Sequence, residues 1–134
     1  MCIKMAMKFD FRAIIDKILQ NSGDRQPPKG CIIWQKAKTS SPVGKQYARM
    51  RNPFPGCPVV TTAHRVLYMA FHNVIELPTH DRQGNKMEVS HLCHEPLCQN
   101  IEHLTFETHE VNMERLSCKL QGRCTHGHRP HCIL

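Results

Sequence analysis

Ser90-His91-Leu92-Cys93-His94-Glu95-Pro96-Leu97-Cys98, continued by Asn100, His103, Asn112 and Cys118, decides how this chain folds. Cys93, Cys98 and His103 follow one another at five-residue intervals, close enough to share one tetrahedral zinc ion across a turn. A structural zinc needs a fourth ligand, and two upstream thiols compete for that place. Cys31 opens a strand that can be brought alongside the knot, whereas Cys57 sits between prolines in a loop and reads as a free thiol. His91 falls outside this ligand arithmetic. It lies two residues before Cys93, and on an extended backbone the two side chains share one face. Zinc at Cys93 then holds the strand that carries His91, which is a rigid mount for a general base.

A second ligand-rich group follows at Cys118, Cys124, His126 and Cys132, with His128 and His131 beside it. Gly122, Gly127 and Pro130 make the intervening loops tight enough to fold back on a metal. No two cysteines are spaced Cys-x-x-Cys, which argues against RING, ribbon and Cys₂His₂ finger modules. Disulfides fit an even count of eight cysteines, but such frameworks belong to oxidising compartments and usually follow a signal peptide. The first eight residues have lysines breaking a short apolar stretch, and no run reaches membrane-spanning length. The expectation is an intracellular, reduced, zinc-binding protein.

The chain has 134 residues, the size of one domain, and an aromatic share of only 6%. A core that thin calls for staples, which metal sites supply. Charge is unevenly placed. Between Arg25 and Ile75 there is no acidic residue, while Arg25, Lys29, Lys36, Lys38, Lys45, Arg49, Arg51 and Arg65 all fall there. These eight exceed the net charge of +7, so the rest of the chain is nearly neutral. A one-sign segment of this length within a folded domain faces a polyanion, which points to nucleic acid.

Residues 9–20 predict an amphipathic helix, with Phe11, Ile14, Ile15, Ile18 and Leu19 at helical spacing, and residues 21–30 read as a linker. Residues 31–34 and 45–51 predict two strands joined by a turn at 40–44. Together they form a basic β-ribbon, a shape that fits a DNA major groove. A helix follows over residues 61–72, its apolar face made by Ala63, Val66, Leu67, Ala70 and Phe71. Another is predicted over 108–118 with Thr108 as N-cap and Glu110 in the first turn. His64, His72, His80 and His109 read as structural or solvent-facing. Asn112, inside the last helix, offers an amide oxygen to a hard divalent ion such as Mg²⁺. An imidazole base and one oxygen ligand for Mg²⁺ suffice for metal-assisted phosphodiester hydrolysis.

From Ser90-His91-Leu92-Cys93-His94 through Cys98, Asn100, His103-Leu104, Asn112, Arg115 and Cys118, the chain resembles the zinc-bound homing endonucleases encoded by group I introns. These are His-Me finger (ββα-metal) nucleases. The resemblance is strong over residues 88–118, looser over 119–133 and weaker over 31–75, where Cys31 and Ala63-His64-Arg65 fall in plausible places. It implies a compact α+β fold: a zinc-stapled domain with an antiparallel β-ribbon and a ββα-metal core. It further implies His91 as the general base and Asn112 as the ligand of one catalytic Mg²⁺. Two structural Zn²⁺ ions follow as well, one on Cys31, Cys93, Cys98 and His103, the other on Cys118, Cys124, His126 and Cys132. His126 is favoured over His128 because the family's second site tends to have a His-Gly step after the cysteine. An arginine of the ribbon, Arg51 or else Arg49, would stand near the scissile phosphate, with Lys36, Lys38, Lys45, Arg49 and Arg51 on the DNA.

The expected organisation is an N-terminal helix and linker over 1–30 and a nuclease domain over 31–134. That domain divides into the basic ribbon and helix (31–75), the ββα-metal core (88–118) and the second zinc loop (118–134). The expected partner is double-stranded DNA, with no membrane, in the nucleus. Family members of this type can form a homodimer through a C-terminal extension, and this sequence stops at Leu134, directly after the last ligand. A monomeric nicking enzyme is the alternative to a dimer that cuts both strands. The competing function is a zinc-stabilised DNA-binding module without cleavage. The pair His91 and Asn112 favours the enzyme, and the acid-free basic half disfavours a protein-interaction module.

Overall fold

The computed structural model describes residues 9–39, 45–55, 58–124 and 126–134. The turn expected at 40–44 and the loop thiol Cys57 lie outside the described residues. Helix α1 (Phe11–Gln20) starts on Asp10, whose carboxylate accepts from Ala13 N at 3.0 Å. It buries Ile18 and packs against helix α2 (Ala63–Phe71), which supplies Ala63, Val66, Leu67, Met69 and Ala70 to the same core. Phe9 and Phe11 pack on Phe54, and the Phe9–Phe54 rings meet edge-on at 5.5 Å. Phe71, expected in the apolar face of α2, is instead 53% exposed, one position past the buried stripe.

The basic ribbon is built differently from the expectation. Strand β1 (Arg49–Arg51) pairs antiparallel with β2 (Val60–Thr62), Arg49 opposite Thr62 and Arg51 opposite Val60. Residues 37–39 lie on the other side of the ribbon, with Thr39 N bonded to Tyr47 O and Arg49 N to Ala37 O, both at 2.9 Å. Residues 31–34 are not in it. Their backbone pairs with the zinc loop, residues 92–103 between the two strands of the C-terminal half: Trp34 N donates to Leu97 O at 2.9 Å and Gln99 N to Ile32 O at 2.6 Å. Extended propensity at 31–34 is satisfied there because Cys31 must reach the cysteine cluster. The stretch read as a linker is likewise ordered, with Gly23 N bonded to Ile33 O and Gln26 N to Cys31 O.

The C-terminal half is a ββα unit. Strand β3 (Met87–His91) pairs antiparallel with β4 (Leu104–Thr108), His91 opposite Leu104, and the zinc loop connects them. Helix α3 (His109–Gln121) leaves β4 directly. Thr108 caps it by accepting from Val111 N at 3.3 Å, and Gly122 closes it in the left-handed conformation (φ 72°). The fold is therefore α+β, with three helices and two two-stranded antiparallel sheets among the described residues. Only Arg115 and Cys118 of α3 are buried. An apolar stripe does not seat this helix; the buried Cys118 and one ion pair do. The Arg115 guanidinium holds Glu107 on β4 through two bonds of 2.7 and 2.8 Å, and Pro130 O at 2.9 Å.

Candidate metal centres and catalytic cleft

Cys31, Cys93, Cys98 and His103 bring one ligand atom each to within 4.8 Å of one another. Cys93 lies in the turn that ends β3, and His103 closes a 3₁₀ turn (Ile101–His103) capped by Asn100. Asn100 also donates to Gly30 O at 2.7 Å, which fixes the residue before Cys31. His103 Nδ1 is 3.4 Å from Cys98 Sγ and 3.7 Å from Cys31 Sγ. A tetrahedral zinc with ordinary bond lengths sets sulfur and nitrogen about 3.5–3.6 Å apart. The Cys93 thiol, bonded to its neighbour, holds Cys98 down to about 5, while that same contact and burial push Cys93 up, and burial raises Cys31. Three thiols this close cannot all ionise without a cation among them.

The second cluster comprises Cys118, Cys124, His128 and Cys132. Where the resemblance favours His126, this cluster gathers His128. His128 Nδ1 stands 3.6, 3.5 and 3.9 Å from the three sulfurs, and its ring is buried. His126 is exposed, stacks on His128 at 5.2 Å between centroids, and has its Nδ1 3.8 Å from Cys118 Sγ. Gly127, at φ 61°, turns the chain between the two histidines so that the second, not the first, enters the cluster. Glu114 accepts from His128 Nε2 at 3.0 Å, which leaves Nδ1 as the ligand atom. Arg115 places a guanidinium 3.4 Å from Cys132 Sγ. Both clusters have the donor set and spacing of structural zinc sites.

His91 lines a cleft of about 260 Å³ together with His64, Arg65, Glu88, His94, Asn112, Lys45 and Lys119. The expectation that His91 and Cys93 share a strand face is not met, because β3 ends at His91 and the chain turns at Leu92. The zinc loop still holds His91, by another route: His91 Nε2 lies 3.1 Å from Cys98 O. A carbonyl can only accept, so Nε2 carries the proton and Nδ1 keeps the lone pair. Burial, then the neighbouring His64, lower the His91 pKa well below its usual value. Asn112 donates Nδ2 to Glu88 Oε1 at 2.6 Å, which leaves Oδ1 as its remaining polar atom. An amide oxygen and a carboxylate in one cleft are the hard donors that Mg²⁺ takes.

Several residues of this cleft were not singled out by sequence. His64 reads from sequence as structural or solvent-facing, and its ring lies 4.3 Å from that of His91. It is buried, with Nε2 donating to Val89 O at 3.2 Å, and burial lowers its pKa to about 4. Its position three residues before Leu67, at the edge of the apolar stripe of α2, was the available signal. Arg49 and Arg51 are exposed on the ribbon and do not line the cleft; its cations are Lys45, Arg65 and Lys119. The reason is register. Arg49 and Arg51 alternate with half-buried Met50 and so point out of the sheet. Lys36 and Lys38 are also exposed, on or beside the strip paired with β1.

Among the described residues, no helix is long and apolar enough to cross a membrane. No curated protein matches the chain. Residues 30–134 match the family described as the zinc-binding loop region of homing endonuclease, a span that takes in both clusters and the whole cleft. This chain therefore belongs to the homing-endonuclease zinc-binding family, whose function is nuclease-like or DNA-binding.

Proposed function

We propose that this protein is a divalent-metal-dependent endonuclease that hydrolyses phosphodiester bonds of double-stranded DNA. The observation that carries the reading is the state of His91. Its proton is committed to the Cys98 carbonyl of the zinc loop, and the cleft it lines also holds an amide oxygen donor and three cationic side chains. His91 Nδ1 takes a proton from the attacking water. Asn112 Oδ1 would hold the divalent ion. A bound Mg²⁺ would supply positive charge to the scissile phosphate and to the leaving oxygen. Lys45, Arg65 and Lys119 bind phosphate oxygens around the cleft. Lys36, Lys38, Arg49 and Arg51 face outward on the ribbon and hold the flanking duplex, so Arg49 and Arg51 position DNA rather than touch the reacting phosphate. The two zinc sites serve as staples: the first fixes His91 through Cys98, the second fixes α3, which carries Asn112. A compartment that contains DNA, such as the nucleus, follows from this reading.

The competing reading is a DNA-binding module that does not cut. The 9% exposure of His91 favours it, because little of the imidazole meets solvent. Incubating zinc-loaded protein with supercoiled plasmid and Mg²⁺ decides between them. Nicked or linear product is expected. Binding without product in Mg²⁺, Mn²⁺ and Ca²⁺ would establish the non-cutting module.

A further inference from the structure

Glu88 is the acidic side chain of the cleft, and its contacts are specific. Its Oε1 accepts from Asn112 Nδ2 at 2.6 Å and from His109 Nδ1 at 3.0 Å. The two donors are three residues apart on the first turn of α3, hence on one helix face. The Glu88 side chain is 24% exposed, so it is neither a core residue nor a free surface carboxylate. On β3 it stands opposite Glu107, whose charge Arg115 already neutralises. No zinc ligand touches it among the described residues.

We propose that Glu88 is the positioning residue of the divalent-metal site, resting on the assignment of Asn112 as metal ligand. An asparagine amide can present either end to a cation, and only the oxygen end binds. Neither the helix nor the amide itself decides which. A carboxylate can only accept, so it captures Nδ2–H and commits Oδ1 to the ion. Its negative charge does a second thing. The surrounding side chains Lys45, Arg65 and Lys119 repel a dication, and a neutral amide does nothing to offset them. Glu88 puts one anionic group in the cleft, against the Asn112 amide. Oε2, which takes no hydrogen bond among the described residues, faces no competing donor for a contact to the ion or its water.

The test is Mn²⁺ titration of the full, zinc-loaded chain, followed by the paramagnetic signal of free Mn²⁺, with zinc content and thermal unfolding measured on each sample. Glu88→Ala should weaken Mn²⁺ binding about 10- to 100-fold, the usual effect of losing a partner that orients a metal ligand. Glu88→Gln keeps an acceptor for Asn112 but loses the charge, so its affinity should fall between wild type and Glu88→Ala. Zinc content should stay at two and duplex affinity in Mg²⁺-free buffer should not fall. Should Glu88→Ala fail to fold, Glu88→Gln alone carries the test. Unchanged Mn²⁺ affinity in the folded Glu88 variants, with Asn112→Ala abolishing binding, would overturn the role of Glu88 and leave the metal site standing. Equal Mn²⁺ binding by Asn112→Ala and wild type would overturn the site itself, and this proposal with it.

Discussion

Replacing Arg115 by Met should unseat α3 although the side chain touches no solvent and no reacting atom. Arg115 is fully buried, and its two bonds to Glu107 close a salt bridge whose acidic side is only 9% exposed. Methionine fills much of the same volume but leaves the Glu107 carboxylate buried without its cation, and Pro130 O without its donor. Breaking a buried ion pair from one side costs about 3–5 kcal/mol. With a urea m-value of roughly 1–3 kcal/mol per molar for a domain of this size, the unfolding midpoint should drop by at least about 1 M. The measurement is urea unfolding of zinc-loaded protein, with wild type beside Arg115→Met and the double variant Arg115→Met/Glu107→Leu. The double variant should recover much of the loss, because replacing both partners removes the stranded charge. A loss below about 1 kcal/mol in the single variant would refute the argument that this pair, rather than apolar packing, seats the helix.

Metal analysis should find two zinc ions per chain; His128→Ala should lose one, and His126→Ala should keep both, reversing the assignment made from the His-Gly step. Stability should fall as pH drops from about 6.5 to about 4. His64 is neutral when folded and takes up a proton more readily when unfolded, so its stabilisation is full above the unfolded value and lost across that window. The loss amounts to about 3 kcal/mol. The difference between wild type and His64→Asn isolates it from the zinc ligands, and a constant difference from pH 7 to pH 4 would contradict it. DNA affinity should fall steeply with salt, and replacing Lys36, Lys38 and Lys45 by Ala should flatten the log–log slope by about 2–3. An unchanged slope would place the duplex elsewhere.

What could be read from sequence was what short range determines. Cys93, Cys98 and His103 lie within one loop, so their spacing alone limits the geometry, and the N-cap at Thr108 is a three-residue contact. Cys31 joins them because residues 31–34 bond to 97–99, a pairing that β-propensity cannot choose over the ribbon partner. His126 and His128 differ by a glycine that reverses the chain and by a carboxylate one helix away, neither visible in spacing. The cleft was the least legible part. His64 and Arg65 come from α2 and meet His91 only through tertiary packing, as Glu88 on β3 meets Asn112 on α3. The polar character of α3, with two buried positions, hid how firmly it is held.

If His91 is a base held by the zinc loop, single-turnover plasmid cleavage by wild type and His91→Ala will show it. Removing a general base typically lowers the rate about 10²- to 10⁴-fold. His91→Ala should show a loss in that range in Mg²⁺, with two zinc ions retained and DNA affinity unchanged. A His91→Ala protein that cuts at the wild-type rate, or that loses zinc, would contradict it.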